Sequence, residues 1–295
     1  MPVSQSITCP ALLAFLSHFR EILTFDLLTV YQPPTDVPAA LEPPARRVPV
    51  STLRFFFLEP HAGGSWLGPL GAWLDITALT ALTVHDVAFG PVATDPMSPA
   101  LHRILRDCTS LRALTCIDNV FCGLLTYPEP CPTLRELRFD TEYVLSGSSP
   151  SQRVFAVWGT FMDLLRCPLT AAVQDVACNL TFIWQVGIFE GVPAGDALAR
   201  KLEGLLEALD WSALAVAAER LRSFTLNVQL FLTTDSIFNL KRNAQRARKA
   251  TREVYRGIIE QRNRAILNDA IEGVVKGKMG AHPAQRLIQV DVYFP

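Results

Sequence analysis

Histidine and cysteine are the residues whose spacing would reveal metal or nucleophilic chemistry, and the chain has 5 of one and 7 of the other. His18, His61, His85, His102 and His282 form no H-E-x-x-H pair and no paired Cys/His set, so no zinc centre is expected. Cys116, Cys122 and Cys131 lie close in sequence, but not at ligand spacing, and no C-x-x-C occurs. An odd number of cysteines gives no disulfide framework and points to a reducing compartment, cytoplasm or nucleus. The run Gly63-Gly64-Ser65-Trp66-Leu67-Gly68 sets a serine among glycines. A nucleophile elbow needs a second glycine where Leu67 stands. Gly273 to Met279 approaches a phosphate-binding loop, but it is one residue short and has Met279 in the hydroxyl position. These residues predict no catalytic group, no metal and no cofactor.

Two further segments offer polar chemistry. Ala194-Gly195-Asp196-Ala197 resembles the glycine–aspartate turn that gives sugar kinases of the ribokinase type a base and an anion hole. That resemblance implies an enzyme as one alternative. Capping a helix start accounts for Asp196 with a single residue, and the upstream phosphate loop of such kinases is absent. The second segment, residues 241–264, has nine Lys/Arg against Glu253 and Glu260, a net of +7, and leaves −8 on the rest of a chain whose formal charge is -1. Lys241, Arg242, Arg246, Arg248, Lys249, Arg252 and Arg256 form its basic face, with Val254, Ile258 and Ile259 as a partial apolar stripe. A basic helical insertion could bind nucleic acid or an acidic partner. The reading favoured over binding is a solvated helix that neutralises an acidic body, or a diverged insertion. Only Tyr255 offers an aromatic platform, so a nucleic-acid ligand is not the expectation adopted.

The elements that must position any site come from a recurring frame. Leu111-Arg-Ala-Leu114-Thr-Cys116-Ile-Asp-Asn119-Val-Phe121 fits L-x-x-L-x-L-x-x-N-x-L. In this frame Leu114 and Cys116 alternate onto the inner face of a short strand, and Asn119 satisfies backbone groups as the chain turns away. Leu79, Leu82, Val84 and Phe89 fit the frame, as do Leu134, Leu137, Phe139 and Val144, and Leu221, Phe224, Leu226 and Phe231. Partial copies are Leu53, Phe56 and Leu58; Leu287, Val290 and Val292; Leu23, Phe25, Leu28 and Val30; and Leu180 with Phe182. Successive second positions are then 33, 26, 32, 23, 43, 44 and 66 residues apart, against about 20–29 in regular leucine-rich repeats.

Helical patterns alternate with these strands. They cover Pro99–Cys108, with Ser98 as cap; 152–166, with a stripe from Phe155 to Leu165; 196–209; and 211–222, capped by Asp210. Residues 32–49, with six prolines, read as a surface linker, and Gly147–Ser151 as a second loop. At 49% apolar and 19% charged residues, the chain is not a disordered one. The apolar run 62–84 is broken by glycines and Asp75 and reads as two short soluble elements, so no membrane association is expected. No Lys or Arg precedes Arg20, which argues against a signal peptide and removes weight from the Asn179-Leu180-Thr181 sequon.

The stretches ARRVPVSTLRFFFLE, LTALTVHDV, CTSLRALTCIDNV, CPTLRELRFD and LDWSALAVAAERLRSFTLNVQLF together resemble the leucine-rich region of basidiomycete fungal F-box proteins, over roughly residues 10–235. The resemblance implies an irregular α/β solenoid in one domain, 1–295, with strands on the concave face and helices on the convex face. It also implies protein–protein interaction without catalysis. No F-box with its L-P-x-E/D-I core is found. Met1 falls inside a repeat-like helical stretch, so a ubiquitin-ligase adaptor is an expected partner only if an F-box lies upstream. Outward strand positions are the candidate contacts to an unknown protein ligand: Arg112, Thr115 and Asp118; Arg135, Arg138 and Asp140; Thr225, Asn227 and Gln229.

Overall fold

The computed structural model describes residues 15–29, 46–57, 73–86, 98–118, 124–125, 127–145, 152–186, 204–211, 220–234, 273, 277 and 288–293. The chain is an α/β protein with a parallel sheet of 8 strands. The strands are β1 (Ile22–Thr29), β2 (Val48–Phe57), β4 (Ala81–Asp86), β5 (Ala113–Asp118), β6 (Glu136–Leu145), β7 (Asp175–Val186), β8 (Ser223–Thr234) and β9 (Ile288–Tyr293). They lie side by side in chain order, and a two-residue β3 (Leu74–Asp75) pairs beside β2. Helices α1 (Ser98–Asp107) and α2 (Gln152–Arg166) lie within one residue of the sequence-derived bounds. The chain forms two compact units, 1–137 with 167–173, and 138–166 with 174–295.

The frame of the best copies holds at atomic level. Leu79, Leu82 and Val84, Leu111, Leu114 and Cys116, and Leu134, Leu137 and Phe139 are all at most 1% exposed. The physical reason is the strand period of two: alternate residues face the apolar interior, and parallel in-register pairing stacks like on like. Leu82 is the Cα partner of Leu114, and Val84 of Cys116. A backbone signature recurs ahead of β4, β5, β6 and β8. In unit 1, Thr80 donates its N–H to Ser51 O, the amides of Arg112 and Ala113 go to Thr80 O, and those of Arg135 and Glu136 go to Arg112 O. In unit 2, the amides of Arg222 and Ser223 go to Gln174 O. A tight turn precedes three of the strands, closed by Leu79 N–H on Ile76 O, Leu134 N–H on Cys131 O and Val173 N–H on Thr170 O.

This register corrects four partial copies. Leu53 pairs with Leu82 and is itself a second-position residue, with the buried Val50 ahead of it; the frame starting at Leu53 was three residues late. Phe25 pairs with Leu53, so Phe25 and not Leu23 is the second-position residue; Leu23 stands two residues ahead of it near the start of the strand and is 71% exposed. Val176 pairs with Phe224, which moves that copy four residues back from Leu180, onto the buried Val173, Val176 and Cys178. Ile288, not Val290, pairs with Phe224. The second positions Phe25, Leu53, Leu82, Leu114 and Leu137 then stand 28, 29, 32 and 23 residues apart, where the sequence frame gave 33, 26, 32 and 23 over the same strands.

Other expectations shift as well. Pro49 belongs to β2 and is paired with Asp75, so the linker ends before Val48. The missing proline N–H is tolerated because it sits in the strand's first turn of pairing, beside only a two-residue strand. Residues 204–208 are helical, whereas 209–211 and 220–222 are not. Phe155, placed in the apolar stripe of α2, is 37% exposed. Asn119, the Asp196 turn and the basic segment 241–264 lie outside the described residues.

In unit 2 the core is aromatic. Phe161 of α2 stacks on Phe139 of β6 with ring centroids 4.5 Å apart, and Trp158 lies 4.7 Å from Trp211. The buried indoles need partners for their N–H groups. Trp158 Nε1 donates to Asp210 O at 2.6 Å, and Trp211 Nε1 to Leu206 O at 2.9 Å. Arg220 donates to Leu165 O at 2.5 Å, satisfying a carbonyl in the last turn of α2. In unit 1, α1 buries Leu101, Ile104 and Leu105, followed by Cys108.

Candidate functional site

The strand alternation that buries Leu137, Phe139, Val176, Cys178, Phe224 and Leu226 turns the intervening residues of β6, β7 and β8 to the other face. That face is polar. Asn227 Nδ2 donates to Asn179 Oδ1 at 2.6 Å, and Asn179 Nδ2 donates to Asp140 Oδ1. Arg138 Nε donates to both carboxylate oxygens of Asp140, at 3.0 and 3.1 Å. The result is a ladder across three adjacent strands, with every donor aimed toward Asp140. An ionised carboxylate only accepts, so Asp140 sets that direction. Asn179 is 7% exposed and is among the few buried polar residues, since a rung with neighbours on both sides has no room for water. Asp291 of β9 is the Cα partner of Asn227 and continues the row in register.

A second cluster marks the strand starts. Asp175 accepts from Arg222 Nε at 3.1 Å and Nη2 at 2.5 Å, and from Ser223 Oγ at 2.5 Å. Burial pushes the Asp175 carboxyl up, but the Arg222 bonds, the Ser223 bond and the Arg222 charge together hold it below the ordinary value. Asp75 is held low mainly by the Thr77 hydroxyl, at 2.7 Å, and the Thr77 amide, at 3.1 Å. The sequence singled out neither cluster.

The nine candidate contacts fall into two groups. Arg138, Asp140, Thr225 and Asn227 come together on the outward face of β6 and β8. Gln229 lies in register on β8, opposite Thr181. Arg112, Thr115, Asp118 and Arg135 belong to unit 1. Thr115 is half-buried opposite Thr83, and Asp118 pairs with Asp86 at the end of β5. Arg135 is tied to its own chain: Nη1 donates to the carbonyls of Pro132 at 2.8 Å, Leu134 at 3.3 Å and Ala172 at 3.2 Å. The missed member is Asn179. Its signal was its place three residues after Val176, matching Asp140 after Leu137 and Asn227 after Phe224.

Among the described residues, Cys108, Cys116, Cys131 and Cys178 are held as core thiols. Burial pushes the Cys108 thiol up to about 12 and raises Cys178 well above its ordinary value. Such thiols are poor nucleophiles. Cys116 is a core residue, as the frame implied, and none of the described cysteines forms a disulfide. Among the described residues no group of three His, Cys, Asp or Glu could hold a metal ion, and no helix is long and apolar enough to cross a membrane. No family model, curated protein or solved structure matches the chain.

Proposed function

We propose that this chain is a protein–protein interaction module built as an irregular leucine-rich-repeat solenoid, similar to the substrate-binding part of fungal F-box proteins, and that it does no chemistry of its own. The observation that carries this reading is the outward face of β6–β8. Its polar side chains are locked by one another, and Arg138 keeps 58% of its side chain in solvent. A rigid polar face contacts a partner without first having to order its side chains. The stepwise backbone signature supports the solenoid, since each unit repeats the hydrogen bonds of the one before.

The test is site-specific photo-crosslinking of the full chain in cells that express it. A crosslinker at Thr225, on the strand face, is expected to give a discrete protein adduct. One at the exposed Arg103 of α1 is expected to give none. Adducts at Arg103 alone, or indistinguishable patterns at the two sites, would refute the reading.

A further inference from the structure

A pair of arginines in unit 1 points to the chemistry of a partner. The residue two places before each second-position core residue is Thr80 ahead of β4, Arg112 ahead of β5 and Arg135 ahead of β6. The amide of Arg112 donates to Thr80 O at 2.8 Å, and that of Arg135 to Arg112 O at 2.8 Å. The two arginines therefore sit on adjacent rungs, and neighbouring strands are about 4.8 Å apart. Both side chains are exposed. Like charges opposite each other on neighbouring strands repel, so the pairing is unfavourable unless an anion joins it.

The local groups do not supply that anion. Arg135 is held by three backbone carbonyls, which orient its guanidinium and leave its charge uncancelled. Among the described residues no carboxylate lies within ion-pair reach of Arg112 or Arg135. Three other arginines on or beside strands do face one: Arg54 with Asp26 at 3.7 Å, Arg138 with Asp140 and Arg222 with Asp175. The chain outside residues 241–264 carries a net −8, so a doubled cation on its surface stands out locally. We infer that Arg112 and Arg135 form the docking point for the carboxylates of an acidic segment of a protein partner. Guanidinium planes match carboxylates in geometry, and such pairs set register and selectivity in a complex. The inference rests on the interaction-module reading for its partner, but its chemistry can be measured alone.

The experiment uses the full chain with Arg246, Arg248, Lys249 and Arg252 all changed to Gln, which removes much of the basic segment's own attraction for acids. A fluorescein-labelled octaglutamate peptide, a Gly/Ser peptide of equal length and a single-stranded oligothymidylate are titrated by anisotropy at low and high salt. Adding Arg112→Gln is expected to weaken octaglutamate binding at low salt about three- to fivefold, as loss of an exposed ion pair does. The Gly/Ser peptide is expected not to bind. Equal octaglutamate affinity with and without Arg112→Gln would overturn the inference, as would equal binding of the neutral peptide. Tighter Arg112-dependent binding of the oligonucleotide would overturn the choice of a protein partner. If octaglutamate binding needs Arg112 while the Thr225 crosslinker captures nothing, the interaction face fails and the arginine site stands. The converse result separates the two in the other direction.

Discussion

Replacing Asn179 tests the polar ladder most directly, because that residue both donates to Asp140 and accepts from Asn227. Asn179→Ala removes both bonds. A hydrogen bond between neutral groups contributes about 0.5–1.5 kcal/mol, and one to a charged group about 1.5–3 kcal/mol. Asp140 keeps Arg138, and the half-buried Asn227 can turn to water, so the expected loss is about 2–3 kcal/mol. Asn179→Asp keeps the shape and exchanges the donor for a second carboxyl facing Asp140. Burial and a like charge both disfavour its ionised form, so the new carboxyl should hold its proton to higher pH in the fold than in the unfolded chain. The sign follows from linkage. Below the unfolded value both states are protonated and the variant loses least. As pH rises through the folded value, the loss grows to its full extent. Urea unfolding at pH 5 and pH 7.5, followed by tryptophan fluorescence in a chain carrying Trp66→Phe and Trp73→Phe, reads the unit that contains the ladder. Asn179→Asp within about 0.5 kcal/mol of the parent at both pH values would refute the idea that Asn179 acts as a buried rung.

The corrected frame predicts that Leu53→Ala costs about 2–5 kcal/mol, while Leu23→Ser stays within about 0.5 kcal/mol; denaturant midpoints compare them directly. Phe161→Ala should cost about 3–5 kcal/mol by opening a cavity beside Phe139, with thermal unfolding as the readout. The Asp175 carboxyl is held low in the fold, so its contribution is complete above its unfolded value and is lost as pH falls through the folded one. Arg222→Gln should therefore move the acid-unfolding midpoint to higher pH, a shift that circular dichroism would detect. Because Arg222 is largely exposed, the effect at neutral pH should be no more than about 1 kcal/mol. Iodoacetamide applied to the native chain should label Cys167 before Cys108, Cys116, Cys131 or Cys178, and peptide mass spectrometry gives the order.

The sequence was most legible where leucine itself marks the frame. Leu79–Val84, Leu111–Cys116 and Leu134–Phe139 each contain a single way to satisfy the spacing, and burial agrees with it. Legibility failed where apolar residues run together. Leu53-Arg54-Phe55-Phe56-Phe57-Leu58 satisfies the spacing at more than one offset, and periodicity alone has no term that chooses between them. The choice is made by pairing: Leu53 must stand opposite Leu82 because Thr80 bonds to Ser51 O, two residues before each pairs into the core. Valine hid the β7 copy in the same way, since Val173 and Val176 fill positions where a leucine was sought. The error carried a functional cost. With β7 four residues out, Asn179 read as an isolated sequon, while Asp140 and Asn227 had already been chosen as contacts from their own strands.

Register therefore links this fold to any function it has. Parallel strands in chain order place equivalent residues of successive units side by side, so a face is specified by columns rather than by local motifs. In unit 2 one column is Asp140, Asn179 and Asn227, joined by hydrogen bonds into a single rigid row. In unit 1 another column contains Arg112 and Arg135, adjacent and alike in charge. The first column resolves its polarity internally, through Arg138. The second leaves two positive charges facing solvent. Each column, taken within its own unit, meets a different requirement of recognition: the rigid row provides shape, and the incomplete column provides a preference for the sign of a partner's charge.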